Sequence, residues 1–448
     1  MTTKIANAGM VNAYVPGASD LVSAEEQALI ARREKLLGPA YRLFYEEPVH
    51  LVRGEGVWLY DPAGNAYLDV YNNVASLGHC QPDVVEAVSR QWATLNTHTR
   101  YLHETILDYS EKLLASFPEH LGHVMYTCTG SEANDLAYRI AKSFTGGTGV
   151  IVTDLAYHGI TDAVSQFSPS LGAHVPTGAH VRTIRAPDAY RRSEADLGAA
   201  IAADVRSALA DLKANGVKPA MMICDTIFSS DGVFSDPPGF LAQAADVIRE
   251  AGALFVADEV QPGFGRTGDA MWGFMRHGVA PDMVTLGKPM GNGQPIAGVV
   301  IRPEVVEEFG RKARYFNTFG GNAVSCAAAN AVLKVIARDG LVANARKVGA
   351  YLKAELQRLA ERHKAIGSVR GAGLFIGVEI VSDRARKTPD ADATTKLVNG
   401  LRRKRVLISA AGPNANVLKV RPPIVFSKPN VDHFIGALDE ILMEGLRV

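Results

Sequence analysis

Two residues thirty positions apart have the types and the setting for chemistry, Lys288 and Asp258. Lys288 follows Met283–Leu286, which reads as a short buried strand ended by Gly287, and it opens a loop containing Gly291 and Gly293. A lysine in so dry a turn loses hydration, which disfavours the ammonium and leaves a nucleophilic amine suited to Schiff-base chemistry with a carbonyl. Taken alone, the same position also suits a lysine that snorkels from a strand end to water. Asp258 closes a second buried strand, Ala253–Ala257, and is followed by Glu259, Val260 and Gln261, then by Gly263, Gly265, Arg266 and Gly268. Alone it could be a helix cap. A carboxylate at the carboxyl end of one strand and a lysine at the end of the next point instead to one crevice of a doubly wound sheet, where open α/β folds bind ligands.

The elements that must hold these residues follow from hydrophobic spacing. Helical periods run over Ser23–Leu37, Pro82–Trp92, Thr105–Phe117, Gly239–Ala251, Pro303–Phe309, Ser325–Arg338, Leu341–His363 and Thr394–Arg405. Further strands are expected at Val124–Thr127, Val150–Val152, Ala220–Cys224, Ala297–Ile301, within Gly367–Ile380 and at Val417–Pro423, with connecting helix in 187–218. Val49–Val70 alternates around two turn signals and predicts a small antiparallel meander. Ala133, Leu136, Ala137, Ile140 and Ala141 recur at helical spacing, so Gly130 and Ser131 stand at a helix N-terminus. That end is either an anion site or an ordinary serine cap. His79 and His158 read equally well as structural histidines.

Composition narrows the classes. The 448 residues are enough for two or three domains, and 47% apolar with 21% charged residues is an ordinary globular balance. Forty-seven basic and forty-seven acidic residues cancel, which argues against nucleic acid or an anionic membrane as the main partner. Cys80, Cys128, Cys224 and Cys326 lack metal-binding or redox spacing, and no apolar run of eighteen residues occurs. A cytosolic protein without metal ligands is expected. Residues 1–22 are expected to be disordered or to lie on a partner.

Gly130 with Ser131, Tyr157, the Asp258–Gln261 segment and Lys288, in this order, resemble the pyridoxal-phosphate (PLP) enzymes of the class III aminotransferase family, fold type I, over about residues 30–445. The resemblance implies a large, mostly parallel α/β domain over 75–345 and a small α+β domain built from both chain ends, 1–74 and 346–448. It implies that Lys288 holds PLP covalently and that Asp258 pairs with the protonated pyridine nitrogen, keeping the electron sink protonated. By the same resemblance Gly130 and Ser131 take the cofactor phosphate, Tyr157 stacks on the ring, Val260 closes its other face and Gln261 reaches its phenolic oxygen. Asp225 and Thr226 stand where most members carry Glu-Pro, and Asp231 with Gly232 where Gly-Gly is common. Asp225 is placed near the ring or substrate. Thr318 is expected to reach the phosphate of a neighbouring subunit, which implies a homodimer with composite sites. Arg100 and Tyr101 are candidates at the substrate entrance, and Lys419 and Arg421 are the cations available for a substrate carboxylate.

The activity expected is amino transfer from an ω-amine or amino acid to a keto acid such as pyruvate, glyoxylate or 2-oxoglutarate. The segments around Asn72, Asn96, Arg100 and Lys288 are similar to a branch holding both alanine–glyoxylate-type aminotransferases and ethanolamine-phosphate phospholyase. Elimination of phosphate from O-phosphoethanolamine-like substrates is therefore the alternative. A non-catalytic PLP-binding protein is the third reading, and an intact Lys288 with Asp258 argues against it.

Overall fold

A computed structural model describes residues 10, 12–17 and 21–445. A seven-stranded sheet forms its centre, in the order His123–Thr127, Ala297–Ile301, Met283–Leu286, Leu254–Asp258, Pro219–Asp225, Gly149–Thr153, Val181–Ile184. Ala297–Ile301 runs against both neighbours, and the other pairings are parallel. Successive strand residues alternate between two packed layers. Leu254 and Val256 join the core beneath the helix Gly130–Thr145, while Phe255 and Ala257 join the core on the opposite face. Burial on both faces is why these strands read as unbroken apolar runs.

Parallel register brings the chemistry to one rim. Asp225 pairs with Asp258, and Asp258 with Thr285, three residues before Lys288. The helix Gly130–Thr145 starts at the same rim because Thr129 and Glu132 form a capping box there, and it stops at Gly146 in the left-handed conformation.

Two further sheets come from the chain ends. Arg53–Glu55, Trp58–Tyr60 and Ala66–Asp69 form the expected antiparallel meander, which Val406–Leu407 extends in parallel. Ile366–Ala372, Phe375–Asp383, Val417–Val420 and Ser409–Ala411 pair antiparallel, and Thr388–Pro389 adds to Phe375–Asp383. No helix of the described residues is long and apolar enough to cross a membrane.

Three expectations change. Residues 1–9, 11 and 18–20, part of the segment expected to be disordered or on a partner, lie outside the described residues. Residues 12–14 are instead tied to their own chain. Asn12 is buried and accepts from the Ser409 hydroxyl at 2.9 Å, and the Tyr14 N–H bonds the Leu43 carbonyl at 2.8 Å. Val181–Ile184 is an unexpected edge strand, because less buried Arg182 and Thr183 interrupt its apolar pattern. Lys288 begins a one-turn 3-10 helix, Lys288–Gly291, rather than an open loop.

Candidate active site

At the carboxyl rim a cavity of ≈ 340 Å³ gathers Gly130, Ser131, Tyr157, Asp225, Asp258, Val260, Gln261 and Lys288. One end of the cavity is built from the helix start. Because Thr129 is the cap, Ser131 is spared that role; its Oγ accepts from the Ile160 N–H at 3.2 Å and keeps its own proton to donate. The first N–H groups of a helix have no intrahelical acceptor; the Thr129 hydroxyl takes that of Glu132, and Gly130 and Ser131 line the same cavity. Glycine is required opposite, since Gly159 has φ +140° and a Cβ there would lie 2.5 Å from Ser131 Oγ.

Asp258 is held from three sides. Its Oδ2 accepts from His158 Nδ1 at 2.7 Å and from Asn134 Nδ2 at 3.0 Å, and its Oδ1 accepts from the Val260 N–H at 3.0 Å. Asn134 also donates to the His158 carbonyl at 2.7 Å, so the two supports brace each other. A carboxylate partner assigns the proton of His158 to Nδ1. Sequence reasoning missed both residues. The available signals were that His158 follows Tyr157 and that Asn134 stands one helical turn beyond Gly130.

Lys288 is half-buried, and its amine bonds no other described residue. Burial, then the charge of Arg421, pushes its pKa below the usual lysine value, against the pull of Asp258 and Asp225. The turn that carries it is fastened by Asn292, left-handed at φ 48°, which accepts from the Leu77 N–H at 2.8 Å and donates to the Gly78 carbonyl at 3.0 Å.

Asp225 lines the cavity but spends its oxygens on its own loop, accepting from the N–H groups of Ile227 at 3.0 Å and Ser229 at 2.9 Å. Burial, and then Asp258, raises its pKa. Thr226, in place of the family's proline, donates to Glu259 at 2.9 Å. Gln261 donates to Ser229 Oγ at 2.6 Å and accepts from Arg421, whose guanidinium lies 4.2 Å from the Tyr71 ring centroid. Lys419 is buried beside Arg421 on the same strand direction and lines no part of the cavity; its amine lies 5.9 Å from the Phe375 ring centroid and has no hydrogen bond or ion pair with another described residue. Burial first, and then Arg421, drives its pKa well down. Thr318, Arg100 and Tyr101 are not brought to the cavity of their own chain. All three are exposed, Arg100 over the Phe316 ring at 3.9 Å and Tyr101 stacked on His98 at 5.0 Å.

One neighbour of the site gives a stability test. Asp231 accepts from Thr153 Oγ1 at 2.8 Å and the Leu155 N–H at 3.2 Å, and burial lifts its pKa from 3.8 to about 7. The fold thus favours the protonated acid, so its contribution is full below the ordinary value and is lost as pH rises through about 7. Asp231→Asn keeps the bond from the Leu155 N–H and lets the Thr153 hydroxyl accept from the amide NH2, as it can from the protonated acid, without the charge. Thermal unfolding should show the variant equal to wild type near pH 4 and more stable near pH 8, by on the order of 2–4 kcal/mol. A difference independent of pH would contradict this.

A lysine and a carboxylate on adjacent parallel strands, facing an anion cradle at a helix start, define a fold-type-I PLP enzyme. Residues 44–442 match the family model for aminotransferase class III, and the chain belongs to that family. It is 41% identical over 441 residues to an alanine–glyoxylate aminotransferase 2-like protein of Drosophila melanogaster, covering 94% of this chain and 89% of that one. An ethanolamine-phosphate phospho-lyase homolog of Caenorhabditis elegans is 35% identical, with 99% of both chains covered. Among solved structures, a phospholyase from Arthrobacter in complex with phosphoethanolamine superposes with a TM-score of 0.90 at 45% identity, over 93% of this chain and 99% of that chain. The family is PLP-dependent, and this chain's residues fit that cofactor. The test is the donor set: a partnerless buried-side amine, an oriented carboxylate, and a cradle at Ser131 that a Cβ on Gly159 would fill.

Proposed function

We propose that this aminotransferase accepts amines or amino acids bearing an anionic group and passes the amino group to a keto acid such as pyruvate, glyoxylate or 2-oxoglutarate. The observation carrying the reading is the buried pair Lys419 and Arg421 behind the cavity wall: Arg421 is bonded to Gln261, which lines the cavity, and Lys419 has no carboxylate partner among the described residues. Burial disfavours the ammonium of Lys419, and an anionic substrate group beside it supplies the partner that favours the charged form.

Bound PLP supplies an electron sink for the bond broken at the substrate carbon. Lys288 would hold the cofactor, and its amine, with its pKa depressed by burial, is suited to accept and return a proton at the substrate carbon bearing nitrogen. Asp258, fixed by His158 and Asn134, would hold the pyridine proton. Ser131 and the backbone at Gly130 would take the phosphate, Tyr157 and Val260 would flank the ring, and Gln261, which accepts from Arg421, would reach the ring oxygen.

The working unit is a homodimer with composite sites. Supporting this, Thr318 sits beside Phe319, 68% exposed, and the Arg100 segment includes Leu102, 100% exposed; a second subunit would cover both and bring Thr318 to the other cofactor. Four unpaired cysteines support a cytoplasmic location.

A second reading, elimination of phosphate and ammonia from an O-phosphoethanolamine-like amine, is favoured by the similarity to the Arthrobacter phospholyase and by cations suited to a phosphate. Holoenzyme mixed with alanine, with ω-amines and with O-phosphoethanolamine separates the two. Amino transfer predicts that donor turnover requires a keto acid and yields its amino product. Release of inorganic phosphate without any keto acid would install the elimination instead.

A further inference from the structure

We infer that Arg370 and Glu379 are positioning residues that lock the Asp225–Val233 loop onto the C-terminal sheet, in register with the substrate cation Lys419. The inference rests on the reading of Lys419 as an anion site.

The sheet register supplies the argument. Arg370 pairs with Gly377 on the next strand, and Gly377 pairs with Lys419 on the strand beyond. Directly paired residues share a face, so Arg370 and Lys419 flank Gly377 on one side of the sheet, about 10 Å apart across two strand spacings. The gap between them is filled by backbone of the active-site loop. A Cβ on Gly377 would lie 3.0 Å from Val233 Cβ and 3.1 Å from the Gly232 carbonyl oxygen. Arg370 grips this backbone, donating from Nε to the carbonyls of Gly232 at 3.0 Å and Val233 at 3.1 Å, with its guanidinium 4.7 Å from the Phe234 ring centroid.

Glu379 fixes the grip. It is 1% exposed, accepts from Arg370 Nη1 at 2.6 Å and from Asn416 at 3.3 Å, and is paired with Arg191 from the loop before the helix Leu197–Ala214. The loop needs such holding. Val233, β-branched, has φ +65°, and Phe228 has φ +51°, conformations that persist only where surroundings impose them. The same loop carries Asp225 and Asp231, whose charges bear on Lys419, and Ser229, which receives Gln261 and through it Arg421. A shift of the loop beyond Asp225 therefore bears on both cations at once, while the hydrogen bonds of Asp258 to His158, Asn134 and Val260 lie outside that segment. The planar fork of Arg370 is what matters, because lysine cannot make two carbonyl bonds and a carboxylate bond in one plane.

The test compares β-alanine with propylamine, an anionic and an uncharged amine of similar length, in the amino-donor half-reaction of the holoenzyme. Arg370→Lys should lower the preference for β-alanine about tenfold, through KM rather than kcat, with the cofactor absorbance unchanged. Glu379→Gln should shift the preference in the same direction, which keeps the test open if either variant folds poorly. Equal losses for both amines, or an unchanged preference in both variants, overturns the positioning role. Lys419→Met separates the underlying reading: if it abolishes the preference and Arg370→Lys does not alter it, the inference fails alone. If Lys419→Met leaves the preference intact, the anion site fails and the inference with it.

Discussion

Lys288→Ala should reduce amino transfer about ten-thousand-fold, because one amine serves both as the covalent holder of the cofactor and as the proton carrier. The structure makes the loss a chemical one. Lys288 Nζ bonds no other described residue, so its removal breaks no network, and the turn beneath it is secured independently by Asn292 to Leu77 and Gly78. Thermal stability of the cofactor-free variant should therefore match that of the cofactor-free wild type, while single-turnover kinetics show the collapse. A small free amine should restore part of the rate. Retention of more than about a hundredth of wild-type activity would mean another group moves the proton.

Asp258→Asn has the next largest expected effect, about 10²–10³-fold in kcat together with lost stability of roughly 1–3 kcal/mol. All three groups around the carboxylate donate: His158 Nδ1 and Asn134 Nδ2 to one oxygen, the Val260 N–H to the other. An asparagine amide must turn its NH2 toward one of these donors whichever way it is flipped. The anion is lost and a buried donor is left facing a donor. His158→Phe removes one support and leaves the charge, so a loss nearer tenfold is expected. Comparing kcat with melting temperature across the three proteins separates the charge from its scaffold. Equal kcat in Asp258→Asn and wild type would remove Asp258 from the chemistry.

Much of this site was legible because strands buried on both faces announce themselves as short apolar runs, and the residues that end them, Asp225, Asp258 and Lys288, fall on one rim by parallel register. The helix start at Gly130 was legible from spacing. What supports these residues was not. The His158–Asp258 and Asn134–Asp258 contacts join positions 100 and 124 residues apart, and neither side chain departs from what a structural role would explain. The same holds for Arg370, whose partners at Gly232 and Val233 lie 138 and 137 residues away. The cap stayed open in the sequence for a local reason: Ser131 and Thr129 are both good caps, and only the reach of Glu132 back to the Thr129 N–H at 2.9 Å decides between them. Asp225 illustrates the opposite case. Its charge was legible, but its shorter arm turns it onto the N–H groups of Ile227 and Ser229, a geometry that only the loop's fold dictates.

The central claim is that Lys288 is the amine that holds the cofactor, and a specific rival stands nearby, since Lys419 is a buried lysine that is also under the influence of Arg421 and Asp225. Borohydride reduction of the PLP-loaded enzyme, followed by proteolysis and mass spectrometry, locates the covalent link directly. The account predicts a pyridoxyl group on the peptide containing Lys288, and none on the peptide containing Lys419. A modified Lys419, or modification spread over surface lysines, would contradict it.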